Sequence, residues 1–142
     1  MKKRKGIFRS QRGFTLVELM IVVIIIGILT AVGVPLYLGY VRDAKAASAE
    51  ATIGTLVNAE KIYHQLHSSF VDVADFSVAP NVLNIDVRDA TQYWTLTITS
   101  ADTGKFTVTA TGIGDYTGII VKLAYDMAAD EVWTKTENGT PF

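Results

Sequence analysis

Residues 19–41 are a run of 23 positions without a charge, bounded by Glu18 and Arg42. About 20 apolar residues in a helix span the hydrocarbon core of a bilayer. The run therefore restricts the first part of the chain to a membrane span, a secretory signal or a buried core helix. The charges around it discriminate between these. Residues 1–13 carry Lys2, Lys3, Arg4, Lys5, Arg9 and Arg12 and no acid, while the remainder holds 7 basic residues against 14 acidic ones. A basic flank stays on the cytoplasmic side of a span. The expected topology is a single pass with the N-terminus inside and residues from 42 onward outside. A basic arm elsewhere in a chain points to nucleic acid; set directly against an apolar span it reads as a topology signal, and no nucleic-acid partner is predicted.

Three readings of the span compete. A secretory signal peptide would use Ala31-Val32-Gly33 as its small-x-small cleavage site, but such peptides avoid an acid where Glu18 stands. A plain anchor accounts for the length and leaves Glu18 and the Gly13-Phe14 junction unexplained. A buried core helix does not suit the basic leader. A carboxylate at bilayer depth costs roughly 2.5 kcal/mol or more, and such residues are usually functional. Glu18 lies four residues after Phe14 and so on the same helix face. Further along, Pro35 removes a helical hydrogen bond and clashes with the preceding turn, at about 3 kcal/mol. Gly27 and Gly33 weaken the same stretch by about 1 kcal/mol each relative to Ala. Helix-breaking residues are thus concentrated in 27–35, and 14–26 is left as good helix.

The stretch Arg12-Gly13-Phe14-Thr15-Leu16-Val17-Glu18-Leu19, followed by the apolar run, resembles the prepilin signature of type IV pilins and type II secretion pseudopilins. The resemblance covers residues 6–41 and extends more loosely through the next helix. It implies that prepilin peptidase removes a leader of residues 1–13 by cutting between Gly13 and Phe14, and that the new Phe14 amine is methylated. It implies that Glu18 neutralises the Phe14 amine of a neighbouring subunit during assembly, and that the helix around Gly27, Gly33 and Pro35 unwinds locally inside filaments. Residues 14–41 would be the transmembrane and polymerisation helix, and 42–142 a globular head.

Within the head, Ala49, Thr52, Leu56, Ala59, Tyr63, Leu66 and Phe70 recur at spacings of 3 and 4, one face of a helix over 42–70, widened by Ile53 and Val57. The Tyr63, Leu66 and Phe70 end is expected to pack on the sheet. Ala44, Ala46, Ala47, Ser48 and Ala49 permit close approach of another helix. A turn-rich connection with Pro80 and Asn81 follows. Tyr93–Thr99 and Lys105–Thr111 alternate apolar and Thr residues, as strands with one wet face do. Ile119–Tyr125 and Glu131–Thr136 read as two more, with turns at Asp102-Thr103-Gly104 and around Gly112–Gly118. The expected class is α+β: a long N-terminal helix packed on an antiparallel sheet of about four strands within 90–137. The sheet region is too short for an independent core, so the helix must complete it.

Enzymatic chemistry is not expected. His64 and His67 share a helix face, but two histidines do not make a zinc site. Asp126, Asp130 and Glu131 form an acidic group that lacks the spacing of a calcium loop. Gly112-x-Gly114 lacks the rest of a phosphate-binding pattern, and Asn138-Gly139-Thr140 is a sequon of the kind that arises by chance. Tyr37, Tyr40, Tyr63, Tyr93 and Trp94 read as packing residues. No nucleophile, base and oxyanion site assemble, and no metal or cofactor is predicted. The resemblance implies a type IV pilus subunit, supporting adhesion or motility. Its partners would be copies of itself, prepilin peptidase, an inner-membrane assembly platform, an assembly ATPase and, before assembly, membrane lipid. It would reside in the inner membrane first and in an extracellular filament afterwards. The alternative is a pseudopilin forming a periplasmic filament; a membrane-anchored binding module without a polymer is the third reading.

Overall fold

A computed structural model of the chain describes residues 13–76, 82–102 and 104–142. The basic leader up to Arg12, the Pro80-Asn81 connection and Thr103 of the predicted turn lie outside the described residues. Contacts divide the chain into one unit up to Gly39 and another of Tyr40–Phe142.

In the first unit, helix α1 (Leu16–His67) begins just after Phe14 and continues through Gly27, Gly33 and Pro35 without interruption. The single chain therefore tolerates the proline within a continuous helix, and local unwinding belongs to the expectation for the assembled state. No side chain in residues 16–38 is buried.

In the second unit, the rest of α1 lies on a five-stranded antiparallel sheet. The strands are β1 (Trp94–Asp102), β2 (Lys105–Gly112), β3 (Ile119–Asp126), β4 (Val132–Glu137) and β5 (Thr140–Pro141), in sequential order. The period-two reading of β1 and β2 holds residue for residue. Trp94, Leu96, Ile98, Phe106, Val108 and Ala110 are buried, while Thr95, Thr97 and Thr99 stand opposite Thr111, Thr109 and Thr107 on the other face. β-branched residues suit a pleated, half-wet surface. Val73 makes an isolated bridge to Ile98 on the outer edge of β1, partly covering an edge that would otherwise expose unpaired amides.

The structure corrects several boundaries. The buried face of α1 is Ala46, Ala49, Ile53, Leu56, Val57 and Glu60, so the expected Ala49, Ile53, Leu56 and Val57 are covered and the rest of the stripe on the helix is not. Leu66 is 75% exposed, and Thr52, Ala59 and Tyr63 are only half-buried. The helix ends at His67 because Ser68 takes a left-handed φ of 56° and donates its N–H to the His64 carbonyl at 2.7 Å, a C-cap more usually built with Gly. Phe70 is buried, but from the segment after the helix. A short helix, α2 (Arg88–Thr91), and the strand β5 are additional. The Asn138-Gly139 pair of the sequon makes the β4–β5 turn, with φ of 50° and 82°. Positive φ at both central residues is the hairpin geometry for which Asn-Gly is selected.

Candidate processing and assembly site

The N-terminus of α1 is built by its own sequence. The Glu18 N–H donates to Thr15 Oγ1 at 3.2 Å. In return the Thr15 N–H donates to Glu18 Oε2 at 2.8 Å, and the Thr15 hydroxyl donates to the same oxygen at 2.7 Å. This is a capping box: a Thr at the N-cap and a Glu three residues on satisfy each other's orphan backbone donors. The sequence reading considered Glu18 only as a carboxylate at bilayer depth that meets the Phe14 amine of a neighbour and missed this role, although Thr-x-x-Glu ahead of an apolar run is its signature. The cap occupies Oε2, and the residue remains exposed.

Gly13 and Phe14 precede the first helical turn, and Phe14 is 82% exposed. A Cβ added at Gly13 would meet nothing within 4 Å, and the same holds at Gly27 and Gly33. The chain's own packing therefore does not require glycine at any of the three. Between Phe14 and Tyr40, 19 large apolar side chains are exposed at 46–82%. A water-soluble surface rarely shows a contiguous apolar patch of more than a few hundred Å², so this surface calls for lipid or protein to cover it.

The remaining candidates separate. His67 Nδ1 lies 3.1 Å from the Tyr63 carbonyl oxygen, with its ring stacked on Tyr63 at 4.1 Å. His64 instead packs on Phe70 at 4.5 Å. The acids of 126–131 are dispersed: Asp126 accepts from the Ala128 N–H at 2.9 Å and pairs with Lys105 at 2.9 Å, and Glu131 pairs with Lys61 at 2.9 Å. The Ala128 N–H first, then Lys105, holds the Asp126 carboxyl below its ordinary range. Among the described residues no group of three His, Cys, Asp or Glu side chains is placed to hold a metal. A Cβ at Gly112 would overlap the Tyr116 carbonyl, while Gly114 takes a left-handed φ of 58°, so the Gly112-x-Gly114 pattern serves a close backbone approach and a turn. Trp94 is buried and donates its indole N–H to Ser48 Oγ at 3.3 Å, with Tyr116 edge-on at 5.2 Å. Tyr93 packs on Tyr116 at 5.1 Å. Tyr37 and Tyr40 are exposed.

Glu60 is a residue that the periodicity did not single out. It is 0% exposed, the one buried charged or polar residue among those described. Its Oε2 accepts from the Val71 N–H at 3.2 Å, and its Oε1 has no hydrogen-bond partner.

Comparison with known proteins follows the same division of the chain. A family model described as the prokaryotic N-terminal methylation motif matches residues 8–34. A second, described as type IV minor pilin ComP, DNA uptake sequence receptor, matches residues 35–118. The type IV major pilin protein PilA of Myxococcus xanthus is 39% identical over 64 residues, 45% of this chain and 29% of that protein. Prepilin peptidase-dependent protein D of Escherichia coli is 62% identical over 35 residues, 25% of this chain and 24% of that protein. In both, the shared part is less than a third of the relative's own length. A fimbrial protein of Dichelobacter nodosus is 33% identical over 124 residues, 86% of this chain and 72% of that protein. No solved structure matches. A methylation motif over the span, a pilin model over most of the rest, and a fimbrial relative along nearly the whole length agree with the capped apolar helix and the sheet it meets: the chain belongs to the type IV pilin family.

Proposed function

We propose that this chain is a structural subunit of a type IV pilus. It is cut between Gly13 and Phe14 by prepilin peptidase, methylated at Phe14 and polymerised with copies of itself through the helix of residues 14–41. The observation that carries the reading is the sleeve of 19 exposed large apolar side chains between Phe14 and Tyr40. Before assembly lipid covers it, with the basic leader holding the N-terminus inside. In a filament other copies of the helix cover it, and small residues allow helices to approach closely in such apolar surroundings. Glu18 then meets the Phe14 amine of a neighbour. An inner-membrane platform and an assembly ATPase complete the machinery. Unwinding at Gly27, Gly33 and Pro35 accompanies packing into the filament.

The fimbrial relatives favour a surface filament over a periplasmic pseudopilus. A DNA-receptor role, which the second family model carries in its description, asks for a basic surface that neutralises phosphates. Residues 42–142 hold 7 basic side chains against 13 acidic ones. Of these, Arg42, Lys61, Arg88, Lys105 and Lys135 are each within an ion pair. Charge therefore supports the structural subunit. The test is to purify surface filaments and sequence the protein's N-terminus. The expected result is filaments whose subunit begins at methylated Phe14; a mature terminus at Val34, or no filament, overturns the reading.

A further inference from the structure

Helix α1 and β1 are linked by a crossover that starts at Ser68, and four hydrogen bonds pin its first residues. Glu60 Oε2 accepts from the Val71 N–H. The Asp72 carboxylate accepts from the Ser100 N–H. Val73 exchanges both backbone bonds with Ile98, at 3.0 and 2.8 Å. The first of these pins stands apart, because its acceptor is fully buried and one of its two oxygens is unpartnered. Buried carboxylates are normally fully hydrogen-bonded or paired with a cation, and Glu60 is neither.

We propose that Glu60 is a proton-linked clamp on the crossover, holding residues 71–73 against α1 when protonated and releasing them when ionised. The balance of the groups around it favours that sign. On its own helix, His64 lies one turn on and is packed on Phe70, and the adjacent Lys61 is engaged with Glu131. On the crossover, Asp72 is the charged neighbour and carries the same sign as ionised Glu60. On the sheet, the buried side chains among the described residues are apolar, Leu96, Ile98, Phe106 and Val108 among them, and Lys105 at the start of β2 pairs with Asp126. Ionised Glu60 thus has the Val71 N–H on one oxygen, no donor on the other and a carboxylate nearby. Water is the remedy for the second oxygen, and lifting of the crossover admits it. Burial raises the carboxyl above its ordinary range; the Val71 N–H opposes this and Asp72 reinforces it.

The sign follows from linkage. A carboxyl whose pKa is raised in the closed form favours closure at low pH, and the preference is lost as pH rises towards the raised value. Between the ordinary glutamate pKa and the raised one, the opening equilibrium grows by up to about tenfold per pH unit, then levels off.

Hydrogen exchange at the Val71 and Ser100 amides reads this directly, using the full chain in detergent micelles and correcting for intrinsic exchange. Wild type should lose protection at both amides as pH rises, with the amides of β2 and β3 unaffected, while Glu60→Gln should show no such pH dependence. Parallel behaviour of wild type and Glu60→Gln overturns the clamp, as does loss of protection spread evenly over the sheet. Should Glu60→Gln not fold, a carbon-detected NMR titration of the Glu60 carboxyl in wild type decides: a pKa at or below the ordinary glutamate value overturns the proposal.

Discussion

The Glu18 carboxylate accepts two hydrogen bonds from Thr15 within its own chain, and the filament reading asks it also to meet the Phe14 amine of a neighbour. Substitution separates these roles. Losing a cap costs about 1 kcal/mol, whereas an unpaired charge moved into a packed apolar core costs several. Glutamine serves the capping box as glutamate does but carries no charge. Glu18→Gln should therefore keep the helix start and membrane insertion, yet lower filament yield as far as Glu18→Ala does. Filaments at normal abundance in Glu18→Gln cells would reduce the residue to a cap. At Gly13, where the chain itself leaves open space, Gly13→Val should leave the fold unchanged and block cleavage, read as retention of the leader by mass. Asp126 sets an acid limit in the head. Its folded pKa is lowered, so its stabilising contribution is present above the unfolded pKa and is lost as pH falls through the folded one. Asp126→Asn should flatten that part of the acid melting curve.

At the scale of elements, the β4–β5 hairpin depends on backbone conformation as well as on side chains. Gly118 has φ of 93°, and a Cβ there would collide with the Asn138 side chain, while the Asn138 N–H donates to the Gly118 carbonyl at 2.8 Å. Gly118→Ala adds strain of roughly 1–3 kcal/mol, and thermal melting should show the loss. The turn into α2 is held differently. Arg88 grips Asp86 through its guanidinium and its backbone N–H, and these bonds push the Asp86 carboxyl down to about 2. An NMR titration should place Asp86 there in wild type and return it towards the ordinary aspartate range in Arg88→Ala. Within α1, Pro35 interrupts no helix in the single chain. Pro35→Ala should therefore leave helix content nearly unchanged and, if unwinding belongs to the filament, reduce assembly.

For the whole molecule, burial among the described residues is confined to the second unit. A single core of α1, crossover and sheet side chains runs from Ala46 to Leu123. Ion pairs Arg42–Glu137, Glu50–Lys135 and Lys61–Glu131 join α1 to β4 and the residue before it. Partly exposed pairs of this kind are each worth about 0–1 kcal/mol, so apolar burial holds the unit together and the charges trim its edge. Removal of residues 1–41 deletes the exposed sleeve and none of this core. The remainder should be a soluble, acidic monomer by light scattering; polymers formed by it would show that assembly does not depend on the N-terminal helix.

The amino-acid sequence alone determined the membrane-length apolar helix, the basic run before it, the Gly13-Phe14-Glu18 motif and the two Thr-alternating strands. These follow from local charge and periodicity, and a strand has only two faces, so once Leu96 and Ile98 point inward Thr97 must point out. A helix has no such binary choice. Around residues 46–67 of α1, apolar and small residues cover more than one arc, and of the expected face the sheet covered Ala49, Ile53, Leu56 and Val57, left Thr52, Tyr63 and Leu66 outside, and added Ala46 and Glu60. The burial of Glu60 likewise depended on the rest of the fold, whereas the end of α1 at His67 and the β4–β5 hairpin rest on bonds between near neighbours in the chain. Long-range packing sets which face is covered, and a carboxylate enters a core only where backbone from elsewhere, here the Val71 N–H, arrives to meet it.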